Sequence, residues 1–171
     1  DAIVVNETIT HRLDLHHQVD RLQPGSFFEA SYGGLGAGLG LALGAKHAHP
    51  SRTVVCTIGD GAFHYNPVVA SFGAAQEHKL PLLVVLFDNA GYLSQKRDVG
   101  NYYPKGKAAQ VGKVIGTPIA PAPDYVKLAE AYGGWGERVD KPAELRAALK
   151  RGLEQVARGR LALIDVALAP I

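Results

Sequence analysis

Short apolar runs recur along the chain, each followed by a stretch with helical spacing. AIVVNE (2–7), TVVCTIG (53–59), PLLVVLFD (81–88), GERVD (136–140) and LALIDVAL (161–168) predict strands, and the third is apolar almost throughout, as parallel strands buried on both faces are. Helices are predicted over the glycine-laden LGAGLGLALGAKHA (35–48), over NPVVASFGAAQEHK (66–79), over DYVKLAEAYGG (124–134) and over PAELRAALKRGLEQVARG (142–159). In the second of these, Asn66 stands as N-cap and Pro67 at the first helical position. In the last, Leu145, Leu149, Leu153 and Val156 mark the apolar face. Residues 90–123, rich in Gly, Pro, Lys and Tyr, show little periodicity. Strands alternating with helices predict an α/β fold, a doubly wound and mainly parallel sheet with helices on both faces. Ligands in such sheets collect beyond the carboxyl ends of the strands, the rim on which Asp60 and the pair Asp88–Asn89 fall.

Composition narrows the classes. With 171 residues and 47% hydrophobic content, the chain has enough apolar side chain for one ordinary core, and 1–171 reads as a single domain. A net charge of +2 with scattered basic residues leaves no nucleic-acid footprint. No apolar stretch reaches bilayer length and no secretory signal opens the chain, so a cytoplasmic protein is expected. The one cysteine, Cys56, lies inside a predicted strand and reads as a small buried residue. A chain without methionine that begins at Asp1 is expected to be trimmed or cut from something longer.

The chemistry starts at GDGAFHYNP (59–67). Gly59 and Gly61 free the backbone around Asp60 and let it approach a ligand, while the helix that follows turns its positive end to the same rim. A carboxylate beside a phosphate site repels the ligand unless a cation lies between, and Mg²⁺ suits one or two protein oxygens plus phosphates and water. FDNAGY (87–92) offers the rest: the side-chain carbonyl of Asn89 and the backbone carbonyl of Gly91. Alternatively, GDG is a tight turn and Asp60 caps a helix.

GDG followed by 27 residues and then Asn89 resembles the cofactor motif of thiamine-diphosphate-dependent enzymes. The chain as a whole resembles the PP, or C-terminal, domain of the acetolactate synthase, pyruvate decarboxylase and benzoylformate decarboxylase superfamily. DAIVVNE, GGLGAGLGLALGAKHAHPSRTVVCTIGDG, LPLLVVLFDNAGY and PAELRAALKRGLEQVARGRLALIDVAL fall in family order. The resemblance implies thiamine diphosphate and Mg²⁺ as cofactors, with Asp60, Asn89 and the Gly91 carbonyl as metal ligands. It places Gly59, Gly61, Ala62, Tyr92 and Leu93 by the diphosphate, Leu35 as the apolar wedge beneath the cofactor, and Gly33 as the residue whose carbonyl receives the aminopyrimidine amine. For 33–46 the alternative is close packing of a glycine-rich helix on the sheet. Two departures stand out: Ala62 replaces a frequent serine, and Asp88 replaces the first asparagine of the usual pair, where it is expected to turn away as a strand-end cap.

The implied function is cleavage or formation of a C–C bond next to a carbonyl, on a small 2-oxoacid-type substrate, as a decarboxylase or carboligase. This chain would supply the diphosphate and metal half. The activating glutamate is expected from a PYR domain, absent from this chain and carried by a partner chain or an upstream segment, within a dimer or tetramer. A C–C hydrolase on the same cofactor, or a non-catalytic binding or assembly module, are the alternatives. Rival motifs fail: GGLGAGLGLALGA puts leucine where a dinucleotide fingerprint needs its third glycine, no Walker lysine motif occurs, and the histidines form no zinc pattern. His11, His16 and His17 read as surface residues. His64 is a possible acid–base group, with a helix-entry surface role as the other reading. LSQKRDVGNYYPKGKA (93–108) is either an active-site cover, with Lys96, Arg97, Tyr102, Tyr103 and Lys105 facing substrate or a neighbouring subunit, or a solvated loop.

Overall fold

The structure is a computed structural model that describes residues 1–19, 23–30 and 34–169. Among them, β1 (Ile3–Glu7), β2 (Phe27–Glu29), β3 (Val54–Gly59), β4 (Leu83–Asp88), β5 (Trp135–Val139) and β6 (Ala162–Ala167) form one sheet in the order β2-β1-β3-β4-β6-β5. Every neighbouring pair is parallel. The helices are α1 (Arg12–Gln18), α2 (Gly38–Ala48), α3 (Asp60–Tyr65), α4 (Val68–Glu77), α5 (Leu93–Tyr102), α6 (Lys107–Val111), α7 (Tyr125–Glu130) and α8 (Pro142–Ala157). None of the described helices is long and apolar enough to cross a membrane.

Period-two alternation sends each central strand into two apolar layers. On one face Ile3, Val5, Cys56, Ile58, Val84 and Leu86 pack with Leu39 of α2, Phe63 of α3, Phe72 of α4 and Tyr125 of α7. On the other, Leu83, Val85, Ala162 and Ile164 pack with Ala148 and Val156 of α8. Cys56 is buried, and burial, aided by the Glu7 charge, pushes its thiol up and leaves it inert. The chain leaves β1 outward to β2 and returns to β3 on the other side, so the order reverses beside β1. Such a switch point opens a crevice at the carboxyl ends of the strands.

Several predicted elements are shifted. The GDG segment is itself a short helix, α3, and Asn66 ends that helix instead of capping the next one. Its side chain accepts from the Leu39 N–H and donates to the Ala62 carbonyl and to Glu7, so it joins three elements. Leu153 is turned to solvent, at 42% exposure. Ala148 and Gly152 hold α8 close to the sheet instead, where a Cβ on Gly152 would lie 2.9 Å from Leu83 Cδ1. The stretch with little periodicity contains α5 and α6, neither of which buries a residue fully, so no apolar stripe announced them. Similarly, α1 and the edge strand β2 bury no residue fully, and the apolar pattern did not mark them.

Candidate functional site

The crevice is lined from the ends of three strands: Glu7 to His11 after β1, Gly59 to Ala62 after β3, and Phe87, Asn89, Gly91 and Tyr92 around the end of β4. Leu35 and the first turn of α5, Leu93 to Gln95, complete it. Nine of the residues singled out in the sequence therefore meet in one place: Leu35, Gly59, Asp60, Gly61, Ala62, Asn89, Gly91, Tyr92 and Leu93. Gly33 lies outside the described residues.

Asp60 is buried, and its two oxygens accept from different strands' ends. Oδ1 takes the Gly61 N–H and Oδ2 the Gly91 N–H, each at 2.8 Å. Burial pushes its carboxyl up to about 6; the two N–H groups oppose that rise and neighbouring Asp88 adds to it. Next to it, Asn89 Oδ1 is buried without a hydrogen-bond partner. An orphaned acceptor beside a carboxylate that burial has made hard to ionise is a site short of positive charge. Among the described residues no group of three or more His, Cys, Asp and Glu side chains converges on a cation. A metal here must take its remaining oxygens from carbonyls and from a ligand, as Mg²⁺ does when it bridges to phosphate.

Gly61 contributes room more than a donor, since its N–H already serves Asp60. A Cβ there would lie 2.7 Å from Cδ1 of Tyr92, whose ring covers the spot and meets Tyr65 edge-on at 6.1 Å. Tyr92 is itself anchored by its N–H to the Thr117 carbonyl at 2.7 Å. Asp88 caps the strand end, as expected, but does not leave Asp60, whose carboxyl it helps to raise: Oδ1 accepts from the Ala90 N–H at 3.1 Å and Oδ2 from Arg138 at 2.8 Å.

His64 does not line the crevice. It lies in a separate groove with Pro67, Val68, Pro123 and Tyr125, its Nε2 3.1 Å from the Tyr125 hydroxyl, and burial lowers its pKa. In this structure its side chain faces Tyr125, not Asp60 or Asn89, and belongs to that second groove. His11, by contrast, enters the crevice. Its ring stacks on Phe87 at 5.6 Å and its Nε2 is buried without a partner, whereas the sequence pattern predicts a surface residue.

Glu7 carries no role that the sequence pattern predicts. Its carboxylate takes the N–H groups of Gly36, Ala37 and Gly38 at 2.8, 2.9 and 3.0 Å and the Asn66 amide at 2.7 Å. A carboxylate with four donors is spent on holding α2 and is not a free acid. Strand register is the available signal for this whole group, because Glu7 pairs with Ile58, two residues before Asp60.

Residues 10–166 match the family model described as thiamine pyrophosphate enzyme, C-terminal TPP binding domain, thiamine pyrophosphate being another name for thiamine diphosphate. The chain belongs to this family. It is 34% identical over 169 residues to the acetolactate synthase isozyme 3 large subunit of Escherichia coli (strain K12), covering 97% of this chain and 28% of that one. It is 32% identical over 166 residues to benzoylformate decarboxylase of Pseudomonas aeruginosa, covering 97% and 29%. Among solved structures, the thiamine diphosphate-dependent 4-hydroxybenzoylformate decarboxylase of Rhodococcus jostii RHA1 superposes with a TM-score of 0.84 at 30% identity, covering 100% of this chain and 30% of that one. This TPP-binding domain thus spans less than a third of the length of these relatives. The orphaned Asn89 Oδ1 and the buried Asp60 fit a diphosphate held through a hard cation.

Proposed function

We propose that this domain binds thiamine diphosphate through a Mg²⁺ clamp and forms the diphosphate half of an active site that cleaves or makes a C–C bond next to the carbonyl of a 2-oxoacid, as a decarboxylase or carboligase. The observation that carries this reading is the pairing of the buried Asp60 carboxylate with the partnerless Asn89 Oδ1 on the rim of the sheet. Asp60, Asn89 and the Gly91 carbonyl hold the cation. Bound there, thiamine diphosphate supplies the electron sink for the bond broken or formed. Leu35 gives the cofactor an apolar support, and Tyr92 over Gly61 keeps water from the diphosphate side of the crevice. His11 offers its unpartnered Nε2 to the same space.

Glu7 is occupied by four hydrogen bonds, so the activating acid comes from elsewhere: a PYR domain on a partner chain or an upstream segment, in a dimer or tetramer. The names of the relatives, acetolactate synthase and benzoylformate decarboxylase, support the 2-oxoacid substrate class. Calorimetric titration of the intact protein with thiamine diphosphate, with and without Mg²⁺, tests the clamp. Asp60→Ala is expected to abolish the Mg²⁺-dependent binding, and unchanged binding in that variant removes the assignment. Release of CO₂ from a panel of 2-oxoacids by the complete assembly then tests the reaction; a loaded assembly that turns over none of them is a non-catalytic module.

A further inference from the structure

Outside the crevice, on the other side of the clamp loop, an acid-rich groove is lined by Asp88, Asp124, Glu137, Arg138 and Asp165. Three of these residues are locked together. Arg138 stands on β5 and is paired in register with Asp165 of β6, which is paired in turn with Leu86 of β4. One guanidinium nitrogen, Nη1, donates to Asp165 Oδ2 and also to Asp88 Oδ2, the latter at 2.8 Å. Both acids are buried, and among the described residues no other cation is paired with either. Asp165 Oδ1 has no partner at all. Arg138 reaches from the sheet edge across β6 to neutralise two acids that would otherwise stand bare beneath the clamp.

The other oxygen of Asp88 shapes the loop. Oδ1 accepts the N–H of Ala90, two residues on, which is the turn an aspartate makes on its own backbone. Ala90 is held at φ +58, a left-handed conformation costly for a residue with a Cβ. That bend brings the Gly91 N–H to Asp60 Oδ2 at 2.8 Å and leaves Asn89 Oδ1 in the crevice without a protein partner. Asp88 is thus tied into this turn from two sides, by the Ala90 N–H and by Arg138.

We propose that Arg138 is a positioning residue for the metal clamp. By holding Asp88 in the turn that carries Asn89 and Gly91, it keeps the crevice shaped for a divalent cation. This rests on the metal reading of Asp60 and Asn89 given above, and goes beyond it by assigning part of the cation affinity to a residue on a different strand, outside the crevice.

The probe is Mn²⁺ in place of Mg²⁺, with free ion counted by electron paramagnetic resonance on the intact assembly saturated with thiamine diphosphate. Arg138→Met is expected to weaken Mn²⁺ binding by about tenfold, equivalent to about 1.4 kcal/mol. Asp88→Asn keeps the acceptor for Ala90 while removing the charge, so it is expected to stay within about threefold of the parent, and the double variant R138M/D88N to return to the same range. A fold-only role for Arg138 predicts a loss that D88N does not repair, and that result overturns the proposal, as does an R138M affinity within about twofold of the parent or tighter. Should R138M not fold, the pair D88A and D88N decides: loss in D88A alone supports the turn, equal behaviour of the two overturns it. Asp60→Ala run alongside separates the two levels. If D60A abolishes Mn²⁺ binding and R138M leaves it intact, the clamp stands and only the role of Arg138 falls; if D60A changes nothing, both fall.

Discussion

The carboxylate of Glu7 and the backbone of Gly38 touch so closely that a Cβ on Gly38 would lie 2.7 Å from Glu7 Oε2 and 3.0 Å from Glu7 Cβ. The contact joins the end of β1 to the start of α2, whose first turn has no cap of its own. Glu7→Ala would strand the N–H groups of Gly36, Ala37 and Gly38 and the amide of Asn66 at a largely buried site. We expect a loss of about 3–5 kcal/mol in urea unfolding, with Glu7→Gln losing less because one acceptor oxygen survives.

Gly61 and Gly44 separate space filled by a neighbouring ring from space left open. A methyl at Gly61 meets the Tyr92 ring at 2.7 and 2.9 Å, and Tyr92 is half-buried at the crevice. Gly61→Ala should therefore cost only about 1 kcal/mol of stability while weakening thiamine diphosphate binding about tenfold, read by calorimetry beside thermal unfolding.

Gly44 lies inside α2 with no atom within 4 Å of the place a methyl would take, and its φ is not positive. Gly44→Ala is expected to stabilise the protein by about 0.5–1 kcal/mol through helix propensity, with cofactor affinity unchanged.

Glu29 gives a pH dependence. Burial pushes its carboxyl up, but hydrogen bonds from Asn6, His16 and Arg12 outweigh that and leave it below the ordinary 4.5. The folded state thus favours the charged form. Its contribution is fully present above pH 4.5 and is lost as the pH falls through the depressed value. The stability gap between the parent and Glu29→Gln should hold constant from pH 7 down toward 5 and close below 4.5 in denaturant titrations at each pH.

Much of the crevice was legible because its residues sit at strand ends that apolar runs mark plainly. Asp60 and Asn89 both fall on the carboxyl rim where parallel sheets bind, and the resemblance of the GDG-to-Asn spacing to a cofactor motif joined them as a pair. The weaker readings share a cause. His11, Glu7 and Asn66 take their roles from partners 27 to 76 residues away, which periodicity does not report. Asn66 looked like a local cap because Pro67 follows it, yet tertiary partners claimed its side chain. In α5 and α6 the hydrophobic signal was missing because there is nothing for them to bury.

That same lack of anchoring has an evolutionary side. The segment from Leu93 to Val111 begins at the crevice wall and then runs over the surface without any fully buried residue. Sequence there can drift, lengthen or be exchanged between relatives without disturbing the sheet or the clamp. Change can then collect in one piece of chain while the strand ends that carry Asp60 and Asn89 keep their geometry.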